Sequence, residues 1–354
     1  MRSIFNVAAV LLGLTSTLVT ASPVARSSFP NDGFPNPSAD QLKGIEQKAL
    51  GTLPNGNPPN NISADGLINL RLIALNELFE VAYFNDLLNN VTNNVMGYEF
   101  KNKKNRDFVI KSLTAVLAQE ELHAVNANNA LKHFNTDQIQ PCKYTFPVSD
   151  FQSAIRLAGT FTSLVLGTLQ EVIEIFAAKG DAPLTTGVAS VVGQEGEQEG
   201  WYRLIQGKVP SELPFLTTST REFAFNALLQ TVIVPGSCPN LKAINLTTFG
   251  GPLKLLTNVE AKTEPIRFSF EKPSYGYDKF KLAYINQQNV PIVEDIKVKS
   301  TDGSTVTIEA NFPYDANEMN GLTIAALVKS AGPFKNAQAV ADATAFGPAL
   351  IIIN

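Results

Sequence analysis

The spacing of apolar residues changes its period once along this chain, near Thr257, and the change separates two kinds of structure. Between Ser63 and Pro235 the apolar residues recur every three or four positions, which is the period of one face of an α-helix. After Thr257 they alternate with polar residues, as they do in half-buried strands. The sequence therefore predicts an α+β protein, with a helical bundle over 63–235 and a β-region over 257–354.

Four long helical segments and a shorter fifth one account for the first region. The first segment begins at Ser63, and the fourth runs from about Thr186 to Ile205. Capping-box patterns at Ser149–Gln152 and Ser219–Glu222 predict where the third and fifth helices start. A long connection joins the second segment to the third, whereas a tight turn joins the third to the fourth. This order of connections is typical of a ferritin-like four-helix bundle.

The second region predicts a small antiparallel β-sandwich domain, because short alternating segments follow one another with turn signals between them. The clearest segments are Ile266–Phe270, Phe280–Tyr284, Ile296–Val298 and Val306–Ile308. Asp302-Gly303 predicts a hairpin turn before the last of these. Since no group of His, Cys, Asp or Glu in this region suggests chemistry, we expect a structural or surface-attachment module.

The N-terminus has the composition of a secretory signal peptide over residues 1–21: Arg2, then an apolar run from Val7 to Leu14, then small residues before Ala21. The run is too short for a membrane anchor, and no later segment is long and apolar enough to span a bilayer. Residues 22–62 are rich in Pro, Asn, Gly and Ser, which predicts a flexible or loosely packed leader. We therefore expect a secreted protein, located outside the cell or in a cell wall.

Secretion also determines how the cysteines and sequons are interpreted. An oxidising compartment favours a disulfide between Cys142 and Cys238, the only two cysteines in the chain. Asn61, Asn90 and Asn245 each begin an N-glycosylation sequon. Both features are consistent with a secreted glycoprotein.

Several classes of function are disfavoured by composition. A net charge of -4 gives no basic surface for a nucleic acid partner. The sequence contains none of four common catalytic or binding motifs: the nucleophile elbow, the phosphate-binding loop, the zinc-protease motif and the dinucleotide-binding fingerprint. The presence of only two histidines also disfavours Ser-His-Asp catalysis.

Each long helical segment carries a polar pair at positions i and i+3 within its apolar stripe. The pairs are Glu77 and Glu80, Glu120 and His123, Glu171 and Glu174, and Glu195 and Gln198. Residues three apart share a helix face, so the four packed faces would bring these side chains to the centre of the bundle. The alternative is that each carboxylate lies at the edge of its stripe and reaches water.

Buried carboxylates need cations, protons or hydrogen bonds to offset the loss of water. Bundles with two iron or manganese ions use one Glu from each of two helices and a Glu-x-x-His from each of the other two. Iron and manganese suit such mixed oxygen and imidazole ligands. The sequence thus predicts a site for two iron or manganese ions, except that Gln198 stands where this pattern requires a second histidine.

Three stretches also carry a family resemblance: ALNELFEVAYF, AQEELHAVNANNAL and VVGQEGEQEGWYR. They resemble the secreted fungal ferritin-like family that includes the late sexual development proteins and related stress-response proteins. The resemblance implies a ferritin-like bundle in which Glu77, Glu120, His123 and Glu195 match the metal-site positions. On the third helix it leaves open whether Gln170 or Glu171 is the matching residue.

Two functions follow from this resemblance. The first is a secreted protein of the fungal surface, associated with sexual development or stress, whose metal site is degenerate. The alternative is a functional di-iron or di-manganese enzyme that handles peroxide or oxygen, as catalases and ferroxidases of this kind do. Binding of carbohydrate or of a surface by the β-region is a third, weaker option, because Tyr275, Tyr277 and Tyr284 are its only aromatic candidates.

Overall fold

The computed structural model describes residues 29–354, so the predicted signal peptide lies outside the described residues. Within this range the chain is α+β. The helices are α1 (Ala39–Ala49), α2 (Ala64–Thr92), α3 (Lys103–His133), α4 (Phe151–Ala178), α5 (Thr185–Ile205), α6 (Arg221–Thr231), α7 (Tyr314–Asn317) and α8 (Ala337–Ala343). The strands are β1 (Lys254–Leu255), β2 (Glu264–Glu271), β3 (Lys281–Asn286), β4 (Ile292–Asp295), β5 (Lys297–Asp302), β6 (Thr305–Phe312), β7 (Gly321–Val328) and β8 (Thr344–Ile353).

The helix starts lie within one residue of the predicted positions. Ser63 caps α2, because its side chain accepts a hydrogen bond from the backbone N–H of Gly66 at 2.9 Å. The capping box of α4 begins at Asp150 rather than at Ser149. Likewise Thr220, rather than Ser219, caps α6. In both cases the residue after the predicted cap is also a good capping residue, and the backbone uses it.

Part of the segment that we expected to be a loosely packed leader is a capped and packed helix. Ser38 and Gln41 form the capping box at the start of α1. Ile45 and Ala49 of α1 are buried against Ala118 on α3. The abundance of Pro and Asn on either side of α1 hides its short apolar stripe, which is why composition alone gave the wrong expectation for these residues.

The helical core is formed mainly by α2, α3, α4 and α5, with α6 packed beside α4 and α2. Helix α2 is buried along nearly its whole length because other helices cover it on several sides. Contrary to the expectation from the sequence, one helix among the described residues, α4, is long and apolar enough by length and composition to cross a bilayer, but 61% of its most apolar window is buried inside the protein. This burial explains its composition as that of a core helix.

The β-region contains two antiparallel sheets, with strand orders β1-β2-β6-β5 and β4-β3-β7-β8. Apolar side chains of both sheets, such as Phe268 of β2 and Leu327 of β7, form one shared core between them. The β5–β6 hairpin turns at Gly303, whose φ of 55° is the left-handed conformation that this turn requires. The predicted sandwich and its hairpin are thus present.

The second sheet is covered on both faces. All eight residues of β7 are buried. Ala325 and Leu327 belong to the core between the sheets, whereas Ile324 and Ala326 belong to the helical core. The helices and the sandwich therefore share an apolar contact, and the sheet β4-β3-β7-β8 forms a layer between the helices and the outer sheet.

Candidate metal centre

Four predicted side chains meet at one place inside the helical core. Helix α2 supplies Glu77, α3 supplies Glu120 and His123, and α5 supplies Glu195. One ligand atom from each of them lies within 4.8 Å of those of the other three. Each of the three glutamates is only 1% exposed, while the histidine is partly exposed on one side. The structure therefore contains a buried carboxylate–histidine cluster, which we call the Glu/His cluster.

The sequence places these residues together because each lies on the buried stripe of its helix. On α2, Glu77 is surrounded along the helix by buried apolar residues, including Ala74 and Val81. On α5 the buried face is short and consists of Glu195, Gln198, Glu199, Tyr202 and Arg203. The spacing of three and four residues thus places each of these side chains on the buried face of its own helix.

Glu120 is held from two directions. Its Oε2 lies 3.0 Å from Nδ1 of His123, one helical turn along α3. Its Oε1 accepts a hydrogen bond of 2.6 Å from the side-chain amide of Gln198 on α5. The same His123 nitrogen is 3.5 Å from Oε2 of Glu77. These contacts fix the orientation of Glu120 and of the imidazole.

Glu195 has no comparable partners. Both of its carboxylate oxygens are buried, and neither forms a hydrogen bond with any residue that the structure describes. The Oε2 atom of Glu77 also forms no hydrogen bond, although the His123 nitrogen lies 3.5 Å from it. A buried charged oxygen without a partner lowers the stability of a folded protein by roughly several kcal/mol. The cluster therefore needs a cation or protons that the protein's own donors do not supply.

The electrostatics point the same way. Burial raises the pKa of Glu77 to about 7, against the opposing effect of His123. Burial also raises the pKa of Glu195 well above its usual value, and the charges of Glu77 and Glu120 raise it further. For His123, burial lowers the pKa, but the charges of Glu120 and Glu77 outweigh burial and hold the pKa well above its usual value. The cluster is thus strongly favourable for positive charge.

Three carboxylates and one imidazole are a donor set that suits a first-row metal ion such as iron or manganese. The oxygens without partners are among the atoms that such an ion would engage. The residues present therefore fit a metal ion, and the Glu/His cluster could hold one.

Of the other predicted site residues, Gln198 contacts the cluster through Glu120, whereas Glu80, Glu171 and Glu174 supply no ligand atom to it. Glu80 is buried nearby on α2, where its Oε2 accepts a hydrogen bond of 3.1 Å from Asn76. Glu171 instead accepts a hydrogen bond of 2.7 Å from the backbone N–H of Arg221, at the start of α6. Glu174 is exposed. The prediction that α4 contributes a core carboxylate is therefore wrong.

The other third-helix candidate also points elsewhere, since Gln170 accepts a hydrogen bond of 2.7 Å from Gln288 in the β-region. At the level of Glu77, α4 presents apolar residues to α2, among them Val165 and Leu169. The prediction for α4 failed because the i, i+3 spacing identifies residues on one helix face but does not determine which neighbouring element that face contacts.

Tyr202 and Gln119, which were not predicted as site residues, both contact Gln198 and so support the cluster. Tyr202 is fully buried, and its hydroxyl donates a hydrogen bond of 3.0 Å to Oε1 of Gln198. The amide of Gln198 also lies 3.3 Å from Oε1 of Gln119. A chain of hydrogen bonds therefore runs from Tyr202 through Gln198 to Glu120. The spacing of four residues between Gln198 and Tyr202 was the signal that could have identified it.

The predicted disulfide is present, and two of the three predicted glycosylation sites are exposed. Cys142 and Cys238 form a disulfide, as predicted, which links the α3–α4 connection to the segment after α6. Asn61 and Asn245 are exposed, as a glycosylated asparagine must be. Asn90 is only 6% exposed within α2, and its side-chain amide donates to Asp86 at 3.0 Å. The side chain of Asn90 is therefore buried in the folded chain, unlike those of the other two sequons, so the predicted glycan has no room at this position.

Comparisons with known proteins add no family assignment. No protein-family model matches this sequence, and a search of curated proteins finds no match either. The interpretation of the Glu/His cluster therefore depends on its geometry and on the chemistry of its donors.

Proposed function

We propose that this protein is a secreted, ferritin-like metal-binding protein that holds one iron or manganese ion in the Glu/His cluster. The observation that carries this proposal is Glu195, a buried carboxylate whose two oxygens meet no hydrogen-bond donor among the described residues. Protons alone would cancel its charge. A metal ion would in addition engage oxygens that no donor reaches, which is why the donor set favours an ion over a degenerate, protonated site.

One ion fits the cluster better than the two that the sequence predicts. A two-ion site in a bundle uses ligands from all four helices. Here α4 contributes no ligand. Gln198 stands where a second histidine would be expected, and its amide donates a hydrogen bond to Glu120. The four ligands that remain come from three helices and surround a single point.

The residues of the cluster and its neighbours would have two roles, ligation of the ion and orientation of a ligand. Glu77, Glu120, His123 and Glu195 would bind the ion, while Gln198 and Tyr202 would keep Glu120 oriented. Bound iron or manganese would supply redox chemistry toward peroxide or oxygen. An enzyme of that kind is the second candidate, and one observation favours it: Glu77 and His123 form part of the wall of an open cavity, so the centre is reachable from outside.

The cellular setting is part of the same proposal. Residues 1–21 support secretion, and the disulfide between Cys142 and Cys238 is consistent with an oxidising compartment. The resemblance described above supports membership of the secreted fungal ferritin-like family. We infer from that resemblance a role at the fungal surface during sexual development or stress.

The proposal is tested by titrating chelator-treated protein with Mn²⁺, or with Fe²⁺ under anaerobic conditions, in a calorimeter. We expect saturation at about one ion per chain, because four ligands surround one point. Glu195→Gln should weaken binding by roughly 100-fold or more, since loss of even an outer-shell partner costs about 10- to 100-fold. Glu171→Gln is the matched control and should bind normally. A folded wild-type protein that binds neither ion would overturn the proposal.

A further inference from the structure

A cavity of about 530 Å³ lies next to the Glu/His cluster. Its walls come from α2, α3, α4 and α5, and the segment 53–59 before α2 covers it. Glu77 and His123 line the cavity, whereas the other two cluster residues do not. Any molecule in the cavity would therefore meet the cluster from the side of these two residues.

The walls of the cavity are mainly apolar. The apolar side chains that line it include Leu70, Ile73, Leu169, Phe176, Val188 and Val191. The other polar side chains around it are uncharged asparagines, so Glu77 and His123 are the only ionisable groups among its described lining residues. These asparagines are exposed, so a ligand with charges or many hydroxyls would lose water against the apolar walls and find few partners there, which is costly.

The segment that covers the cavity is fixed at both ends. At one end the backbone N–H of Leu53 donates to Oε1 of Glu46 on α1 at 3.2 Å. At the other end the carbonyl oxygen of Pro59 lies 3.0 Å from Nε2 of His133 on α3. Three of its seven residues are prolines, which restrict the backbone further. The cavity is therefore largely formed before any ligand enters, as binding sites for small molecules usually are.

We propose that this cavity binds a small, uncharged and mostly apolar organic molecule that carries one oxygen-bearing head group. The apolar part would lie against the walls, and the head group would lie at the end formed by Glu77 and His123. A volume of about 530 Å³ is within the range of ligand pockets in proteins. The position of the head group rests on the proposed function, because the ion in the Glu/His cluster is what it would approach.

Straight-chain primary alcohols from hexanol to decanol serve as probes, titrated calorimetrically into metal-loaded full-length protein. Each added CH₂ group should tighten binding by about fourfold until the cavity is filled, because burial of one CH₂ is worth about 0.8 kcal/mol. A polar analogue of equal length, 1,2,3-hexanetriol, should bind more weakly than hexanol. The chain-length dependence is the signature of the apolar walls.

Two variants locate the binding. Gly187 on α5 lines the cavity, and a Cβ atom there would meet no atom within 4 Å, so Gly187→Trp introduces a large side chain at the rim. Val191→Trp narrows the cavity from a half-buried position on the same helix. Gly193→Trp is the matched control, since Gly193 is equally unobstructed but does not line the cavity. We expect the two cavity variants to weaken decanol binding by at least about tenfold, and the control to bind as the wild type does.

The outcomes separate this inference from the proposed function. Absence of alcohol binding, affinity that does not change with chain length, or equal losses in Gly193→Trp and in both cavity variants would overturn the inference. Metal binding is measured on the same samples. A protein that binds metal but no alcohol overturns the inference alone, whereas one that binds alcohol but no metal overturns the proposed function together with the placement of the head group.

Discussion

Glu121 provides a quantitative test of how this fold treats buried carboxylates, because it lies outside the Glu/His cluster. It is on α3, is 1% exposed and lines a small cavity together with Asp32 and Lys48. Burial raises its pKa to about 8, and the charge of Asp32 contributes to the increase, while Lys48 opposes it. The perturbation that we consider is Glu121→Gln, which removes the titration and keeps the shape of the side chain.

The sign of the effect follows from proton linkage. An acid with a higher pKa in the folded protein binds its proton more tightly there, so its stabilising contribution is complete below the unfolded pKa of 4.5 and is lost as the pH rises to about 8. At about 1.4 kcal/mol per pKa unit, the difference amounts to at most about 5 kcal/mol. The wild type should therefore lose stability between pH 5 and pH 8, and the variant should lose less.

The assay is urea denaturation in the presence of a chelator, at pH 5 and at pH 8. The free energy of unfolding of Glu121→Gln minus that of the wild type should be larger at pH 8 than at pH 5 by about 3–4 kcal/mol, because part of the linkage effect lies outside this pH range. Any constant cost of the buried amide cancels in this comparison. Asn129→Gln, at an exposed position on the same helix, changes no titrating group, so it is the matched control and should show the same relative stability at both pH values. If Glu121→Gln also showed no change with pH, the reasoning about buried carboxylates in this fold would be refuted.

Three further predictions concern other parts of the structure. Gln198→Leu removes the donor that holds Glu120, so Mn²⁺ affinity measured by calorimetry should fall by about 10- to 100-fold; an unchanged affinity would show that this hydrogen bond has no role. Replacing Cys142 and Cys238 with serine removes a cross-link between residues 96 positions apart, so the free energy of unfolding should fall by about 2–5 kcal/mol. Thermal denaturation measures this loss. The double variant should be as stable as the wild type after reduction of its disulfide, and a variant as stable as the oxidised wild type would contradict the prediction. Glu171→Ala removes an acceptor at the start of α6 and should cost about 1 kcal/mol without changing metal affinity, whereas a loss of metal would return this residue to the cluster.

Much of the helical part was predictable because a helix face is encoded locally. The spacing of Glu120 and His123 alone places both on the buried side of α3, and the start of α2 follows from Ser63 as a capping residue. Glu171 shows where local spacing is insufficient. Its partner is a backbone N–H some fifty residues later, and no periodicity within α4 reports that contact.

The β-region shows the same limit in another form. β7 is a continuous apolar run, which is compatible with a strand buried on both faces but also with other structures. That its second face would be covered by the helices follows only from how the two regions pack together. Helix α1 was missed for the opposite reason, since its weak stripe lies among proline- and asparagine-rich stretches that dominate the composition.

The most direct test of the central claim is a crystal structure of protein loaded with Mn²⁺, with anomalous diffraction data collected to locate the ion. We predict one anomalous peak between Glu77, Glu120, His123 and Glu195, in direct contact with a donor atom of each. A structure in which these four side chains lie together as described, but with no peak between them, would contradict the assignment of the Glu/His cluster as a metal centre.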